Sequence, residues 1–161
     1  MKPATQQEIR ASLANCSRGE AARMTFPAGY RDLSWADIEY LGWRDPKAPL
    51  RGYLVIWRAD RLVGIALRAP EAVTKKSVMC TLCRSTHSSG GVALFVAKLA
   101  GAAGRADNTV GTYICADLNC SRYARQPKPT VSVRPEPGKS LEEKLAGLQE
   151  RAAAFVDRVL Q

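Results

Sequence analysis

The chain has 161 residues, of which 46% are hydrophobic and 24% are charged, and its formal net charge is +9. This composition is ordinary for a globular domain and excludes an intrinsically disordered chain, which would contain fewer large apolar residues. No apolar run reaches the roughly 18 residues of a membrane-spanning helix, and the first residues lack the apolar core of a secretory signal. We therefore expect a cytoplasmic protein that does not bind a membrane.

The positive charge is concentrated in the middle of the chain. Residues 51–135 contain thirteen lysines and arginines against four acidic residues, whereas the two flanking segments are nearly neutral. A positive field attracts an acidic partner, which is either a protein surface or the phosphate backbone of RNA. A solvating surface without a partner is the remaining interpretation.

The first predicted helix begins at a capping box, because Thr5 and Glu8 have the spacing at which each side chain binds the other's backbone. Apolar residues then recur at intervals of three or four, and we expect the helix to end before Gly19. Cys16 lies on the apolar face and is predicted to be a small core residue.

A second short helix is predicted from the similar signature at 33–37, and Gly42 is expected to end it. Residues 45–49 contain two prolines and predict a linker. We therefore expect residues 1–49 to form a short helical segment that packs on the main domain.

Strands are predicted in the middle of the chain, where β-branched and aromatic residues are frequent. A polar turn joins the first two strands into a hairpin, and a loop at 101–108 connects the last two. The predicted strands are 53–57, 62–67, 92–97 and 109–115.

The end of the chain predicts a proline-rich linker at 127–139 and an amphipathic helix at 140–161. Ser140 and Glu143 form another capping box, and the apolar stripe includes Leu148 and Phe155. The stripe is too short for a sustained coiled coil, so we expect it to pack on its own domain.

Four cysteines provide the most specific motif. Cys80 and Cys83 form a C-x2-C pair, and Cys115 and Cys120 form a C-x4-C pair after thirty-one intervening residues. The second pair is expected to place one thiol at a strand end and the other in the first turn of a helix. A knuckle, a hairpin and such a helix make a treble-clef zinc finger, in which four thiolates close the metal shell and leave no position for catalysis. The prediction is one structural Zn²⁺ ion.

Two other interpretations of these cysteines remain. A redox C-x-x-C pair begins a helix, which the residues around Cys80 do not predict, and the cysteines could also be unrelated core residues. His87 could replace one thiolate, but with four cysteines present we expect it to be a polar loop residue. The predicted fold class is α+β: a small antiparallel β-sheet with a treble-clef zinc finger at 50–126, short N-terminal helices and a long C-terminal helix.

The segments Met79-Cys-Thr-Leu-Cys83, Val92-Ala-Leu-Phe95 and Val110-Gly-Thr-Tyr-Ile-Cys-Ala-Asp-Leu-Asn-Cys-Ser-Arg122 resemble the treble-clef domain of the elongation factor G-binding family, the FusB-type fusidic-acid-resistance proteins. The close resemblance covers about residues 50–125. It implies that the four cysteines bind zinc and that the module binds elongation factor G and helps it leave the ribosome. The resistance proteins carry a helical bundle before this module, whereas this chain predicts only two short helices there.

Candidate partner contacts are expected on elements that the zinc holds in place. These are the knuckle tip, the 101–108 loop and the helix after Cys120, and the side chains predicted to contact an acidic protein face are Leu82, Arg105, Arg122 and Arg125.

The alternative function is binding of RNA or the ribosome through Arg105, Arg122, Arg125 and Lys128. The chain lacks the interleaved surface aromatics that stack on bases, which favours the protein partner. An enzyme is not expected, because no nucleophile–base pair, phosphate-binding glycine loop or histidine-rich site is recognisable. We also expect no small-molecule substrate.

Overall fold

The computed structural model describes residues 1–71 and 74–161. Within these residues the chain forms five α-helices, two short 3₁₀ helices and eight strands. The α-helices are α1 (Gln6–Ser12), α2 (Arg18–Arg23), α3 (Gly101–Arg105), α4 (Cys120–Ala124) and α5 (Leu141–Leu160). The strands are β1 (Leu41–Asp45), β2 (Ala48–Arg58), β3 (Arg61–Arg68), β4 (Val78–Met79), β5 (Thr86–His87), β6 (Val92–Lys98), β7 (Thr109–Cys115) and β8 (Val133–Arg134).

The main sheet is antiparallel and has the strand order β1-β2-β3-β6-β7. Because side chains alternate between the faces of a strand, each strand contributes to two cores. One face, with Leu54 and Phe95, packs on α5 and on the four cysteines of the two pairs. The other face, with Tyr53 and Val55, packs on the N-terminal segment through Ile9.

A small second sheet has the order β4-β5-β8. Its last strand comes from the proline-rich segment 127–139, where Val133 pairs with His87 and Arg134 pairs with Thr86. This segment therefore reaches the cysteine pairs, because Thr86 and His87 closely follow Cys83 in the chain.

Several sequence predictions are confirmed. The capping box of Thr5 and Glu8 begins α1, and that of Ser140 and Glu143 begins α5. The predicted hairpin is β2–β3, and the last two predicted strands pair as β6–β7. Helix α5 buries its apolar stripe in the main core, as expected. No helix among the described residues is long and apolar enough to cross a membrane.

The prediction that Gly19 stops a helix is wrong. Helix α1 ends at Ser12, and Gly19 lies in the first turn of α2, which Ser17 and Glu20 begin with a capping box of their own. Glycine lowers helix propensity, but a cap that binds two free backbone N–H groups offsets that cost in a helix of one or two turns.

The prediction of a helix at 33–41 and a linker at 45–49 is also wrong. A single 3₁₀ turn, Trp35–Asp37, is followed by β1 and then by β2, so the expected boundary at 49–50 lies within a strand. The two prolines do not interrupt the hairpin, because Pro46 is in its turn and Pro49 is near the start of β2. The buried carboxylate of Asp45 accepts hydrogen bonds from the backbone N–H groups of Lys47 and Thr25.

Two smaller differences concern Cys16 and the 101–108 loop. Cys16 is partly exposed rather than a core residue, because the chain has already left α1 when it reaches this position. The loop contains the one-turn helix α3.

Candidate metal centre

The four cysteines of the two pairs meet at one buried point. All their Sγ atoms lie within 4.8 Å of one another. The Sγ atoms of Cys80 and Cys120 are 3.5 Å apart, as are those of Cys83 and Cys115. Each close pair therefore joins one thiol from each motif, which interleaves the two motifs around a single centre.

The first pair is held by a tight turn after β4. The backbone N–H of Cys80 donates to Ser85, and the N–H of Arg84 donates back to the carbonyl of Cys80. Arg84 has a φ of 59°, a left-handed conformation that lets the chain reverse at this point. The N–H of Cys83 also points at the Cys80 sulfur, at 3.5 Å. This geometry is the knuckle that the C-x2-C spacing predicts.

The second pair lies where the prediction places it, with Cys115 at the end of β7 and Cys120 at the start of α4. The connecting loop is anchored from β1, because Arg44 Nε donates to the carbonyl of Ala116 at 2.7 Å. Leu118 has a φ of 59° and packs against Gly42. A Cβ atom added to Gly42 would lie only 2.7 Å from the carbonyl oxygen of Leu118. Strand β1 therefore positions the second half of the metal site.

This donor set fits zinc. Zn–S bonds of about 2.3 Å in a tetrahedron place the sulfurs roughly 3.8 Å apart, close to the two short separations observed. Four buried thiolates this close together would repel one another and lose their hydration, so they would not coexist here without a cation. A bound Zn²⁺ ion deprotonates its thiol ligands and removes this conflict. The centre is one structural zinc site whose shell the four cysteines fill.

His87 is not the polar loop residue that the sequence predicts. It is buried in β5, with its Nε2 atom 3.3 Å from the Cys115 sulfur and its ring edge-on to Tyr123 at 4.5 Å. A ring N–H donated to a zinc-bound thiolate would orient that ligand, as partners outside the coordination shell do in other metal sites. The sequence does contain a signal for this role, because the single histidine of the chain follows Cys83 by four residues.

The Tyr40 hydroxyl is a second group aimed at the sulfurs. It is buried and makes no hydrogen bond within the described residues. Burial raises the pKa of Tyr40 most, and the nearby Cys120 sulfur raises it further. Buried hydroxyls are seldom left unpaired. A thiolate accepts a hydrogen bond far better than a thiol does, so zinc binding supplies the acceptor that this hydroxyl lacks.

Replacing Tyr40 by phenylalanine is expected to weaken zinc binding about tenfold, because removal of a group that supports a metal ligand typically has an effect of this size. Competition with a chromogenic chelator measures the affinity. Tyr113→Phe is the matched control, since the Tyr113 side chain is exposed. Equal zinc affinities in the Tyr40→Phe variant and the control would show that the hydroxyl does not support the site.

Two of the candidate partner contacts make contacts within the domain. Leu82 is 1% exposed, because the knuckle turns its tip into the main core. The Arg125 guanidinium binds both carboxylate oxygens of Glu39, at 2.6 and 2.7 Å. The expectation that Leu82 contacts a partner is therefore corrected, because this side chain is buried in the core. Arg125 is 26% exposed and is held by its ion pair with Glu39.

The other two candidates are exposed but lie far apart. Arg122 is on α4 beside Cys120, and Arg105 is at the end of α3. The register of the β6–β7 hairpin places Cys115 at the zinc end and Thr109 at the opposite end. Six residue steps separate these ends by roughly 20 Å. The zinc centre therefore positions Arg122 directly but does not bring Arg105 next to it.

Breaking the Arg125–Glu39 pair is expected to destabilise the protein by about 3 kcal/mol in Arg125→Ala, because a carboxylate that is only 5% exposed loses its counterion. Urea unfolding measures this change. Arg122→Ala removes an exposed arginine three residues earlier, on α4, and should shift the midpoint little. Similar midpoints for the two variants would contradict a structural role for Arg125.

Sequence reasoning also missed a contact between the knuckle and the last helix. Arg151 on α5 donates from Nε to the carbonyl of Leu82 at 2.6 Å. No local pattern identifies this arginine, since it is sixty-nine residues away in sequence. Its position on the half-buried side of an amphipathic helix is the only available signal.

Comparison with known proteins gives a consistent result. The family model for the FBP C-terminal treble-clef zinc-finger matches residues 8–159. A solved structure, described as that of the fusidic acid resistance protein FusC, has a similar fold, with a TM-score of 0.60 and 14% sequence identity. The match covers 100% of this chain and 60% of the FusC chain. No protein of the curated collection matches the sequence.

The match to the family model spans nearly the whole chain and includes all four zinc ligands, both sheets and most of α5. This chain therefore belongs to the family defined by the FBP C-terminal treble-clef zinc-finger domain.

Proposed function

We propose that this protein binds translation elongation factor G and promotes its release from the ribosome. The observation that carries the proposal is the family match over residues 8–159, together with the likeness in fold to a fusidic acid resistance protein. The chain spans 60% of the length of that protein, so the proposal concerns the zinc-finger module and not the larger protein.

The charge distribution supports a partner with an acidic surface. Residues 51–135, which contain the whole zinc centre, carry thirteen basic and four acidic residues. Electrostatic complementarity of this kind raises the rate of association more than it raises the final affinity. Four thiolates leave the zinc no open coordination position, so the centre supports a binding function, with the metal as a scaffold.

A pull-down with purified elongation factor G tests the proposal, once in buffer and once with an excess of unstructured RNA. Retention of the factor under both conditions is expected. Retention that RNA abolishes would favour the alternative, an RNA- or ribosome-binding protein. Absence of retention in a zinc-loaded, folded sample would refute the proposed function.

The exposed arginine beside the zinc site provides a kinetic test. Arg122→Glu is expected to lower the association rate with elongation factor G several-fold at low salt, and the loss should shrink at high salt as the charges are screened. Binding kinetics at two ionic strengths measure both effects. Zinc content and melting should be unchanged, because the side chain is exposed.

The control for this variant is Arg61→Glu, which makes the same charge change at the exposed turn of the β2–β3 hairpin. An association rate that falls equally in both variants would indicate a general charge effect. An unchanged rate in Arg122→Glu would remove Arg122 from the contact surface.

A further inference from the structure

A groove runs between the N-terminal segment and the part of the main sheet that this segment leaves uncovered. Its volume is about 540 Å³. The sheet contributes Arg51 from β2, Arg68 from β3 and Lys98 from β6, and Glu20 of α2 lies on the other side. We call this feature the arginine groove.

Two of its side chains form an unfavourable pair. Arg51 and Arg68 are directly opposite each other in the β2–β3 register, so their Cβ atoms lie about 5 Å apart on one face of the sheet. Like charges at this position destabilise a sheet. Within residues 1–71 and 74–161, neither guanidinium makes an ion pair. Both forks of N–H donors are therefore available to an anionic group from outside.

Glu20 interacts with Arg51 through space, since that arginine helps to lower the pKa of Glu20, but the two side chains form no ion pair within the described residues. The carboxylate of Glu20 is occupied by its own helix, where it accepts hydrogen bonds from the N–H and the hydroxyl of Ser17, both at 2.8 Å. Asp107 pairs with Lys98 at 2.6 Å, but both side chains are largely exposed. Such a pair exchanges readily for another carboxylate, because exposed ion pairs contribute little stability.

Part of the groove lining is apolar, which indicates that the ligand carries apolar groups beside its anionic ones. Leu50 and Val96 are partly exposed in the groove lining, whereas Tyr53 and Leu67, each 3% exposed, are buried in the two cores. Of the lining residues Tyr53 is the one aromatic side chain, and it is buried, so no exposed ring is available for a base to stack on. A groove of this size holds a few side chains and not a nucleic-acid duplex. These features favour a polypeptide over RNA.

We propose that the arginine groove binds a segment of a protein partner in which carboxylate side chains alternate with apolar ones. The carboxylates bind the Arg51 and Arg68 guanidinium groups, and the apolar side chains contact the partly exposed Leu50 and Val96 of the groove lining. Arginine suits this role, because its planar fork binds a carboxylate through two parallel hydrogen bonds. The inference deepens the proposed function and rests on it only for the identity of the partner.

The direct test is an NMR titration of the zinc-loaded protein with a blocked peptide of alternating glutamate and leucine. The signals of the arginine groove should shift, and the affinity should fall at least tenfold in the double variant Arg51→Gln, Arg68→Gln. Folding should survive this change, since both side chains are exposed and their mutual repulsion is removed. The matched control is Arg31→Gln with Arg61→Gln, which removes two exposed arginines outside the groove.

Two results would overturn the inference. Peptide affinities that are equal in the double variant and the control would show that the groove is not the binding site. A titration in which oligouridylate shifts the groove signals and the peptide does not would assign the groove to RNA.

Binding of elongation factor G to the same variants separates this inference from the proposed function. Weaker binding in the Arg51→Gln, Arg68→Gln variant alone supports both. Equal binding in all variants refutes the groove as the contact and leaves the proposed function standing. If elongation factor G does not bind while the peptide does, the proposed function fails and the groove remains a site for another acidic protein.

Discussion

Removal of zinc is expected to unfold most of the domain rather than loosen one loop. The four ligands lie in the same buried cluster as Phe95, Leu118 and Phe155, so the metal is part of the main core. A structural zinc contributes about 10–16 kcal/mol at neutral pH. A domain of this kind has a total stability of about 5–15 kcal/mol, which is similar in size to the contribution of the metal. The chain without zinc should therefore have no cooperative melting transition.

Circular dichroism melting, with metal analysis of the same samples, measures this effect after chelation and in the Cys115→Ser variant. The matched control is Cys16→Ser, which removes the one cysteine outside the cluster and should retain one zinc per chain and a near-native melting temperature. A zinc-free protein that melts cooperatively at the temperature of the loaded protein would contradict the prediction.

Phe155→Ala is expected to lower the free energy of unfolding by about 3–5 kcal/mol, the usual cost of truncating a buried phenylalanine. Phe155 is 1% exposed and lies on the inner face of α5, in one cluster with Leu148 and the zinc ligands. Truncation leaves a cavity that these neighbours cannot fill without moving. The melting temperature should fall by about 10 °C or more for a domain of this size.

Thermal and urea unfolding measure the change, and Leu141→Ala on the same helix is the control. Leu141 is 53% exposed, so its truncation should cost little. A Phe155→Ala protein of unchanged stability but altered oligomeric state would show that the stripe is an interface between chains instead of part of a core.

The metal site could be predicted from the sequence because each half of it is local. A C-x2-C turn brings Cys80 and Cys83 together without help from the rest of the chain. The residues before Cys115 favour a strand, and those from Cys120 onwards favour a helix, so each ligand lies at the end of a locally predictable element. The groups that surround the sulfurs are harder to predict. Tyr40 reaches them from a distant segment, and the position of His87 four residues after Cys83 does not show that its ring turns towards the sulfurs.

The segment 33–49 shows why part of the fold escaped prediction. Trp35, Ile38 and Leu41 have helical spacing, and no proline or glycine interrupts residues 33–41. Strand β1 forms instead, because its backbone pairs with β2 and because Gly42 lets Leu118 pack closely against it. These contacts come from residues far along the chain, and their combined free energy exceeds the weak local preference for a helix.

The difference between what local sequence sets and what distant contacts set applies to the surface as well. The sequence by itself determined the zinc ligands, the capped helices, the β2–β3 and β6–β7 hairpins and the basic character of 51–135, because these depend on spacing, capping and composition within short segments. Only the tertiary structure decided which basic side chains are free: it pairs Arg125 with Glu39 across 86 positions and leaves Arg51 and Arg68 facing each other in a groove. Charge is a property of each residue, whereas its availability to a partner depends on the neighbours that folding brings to it.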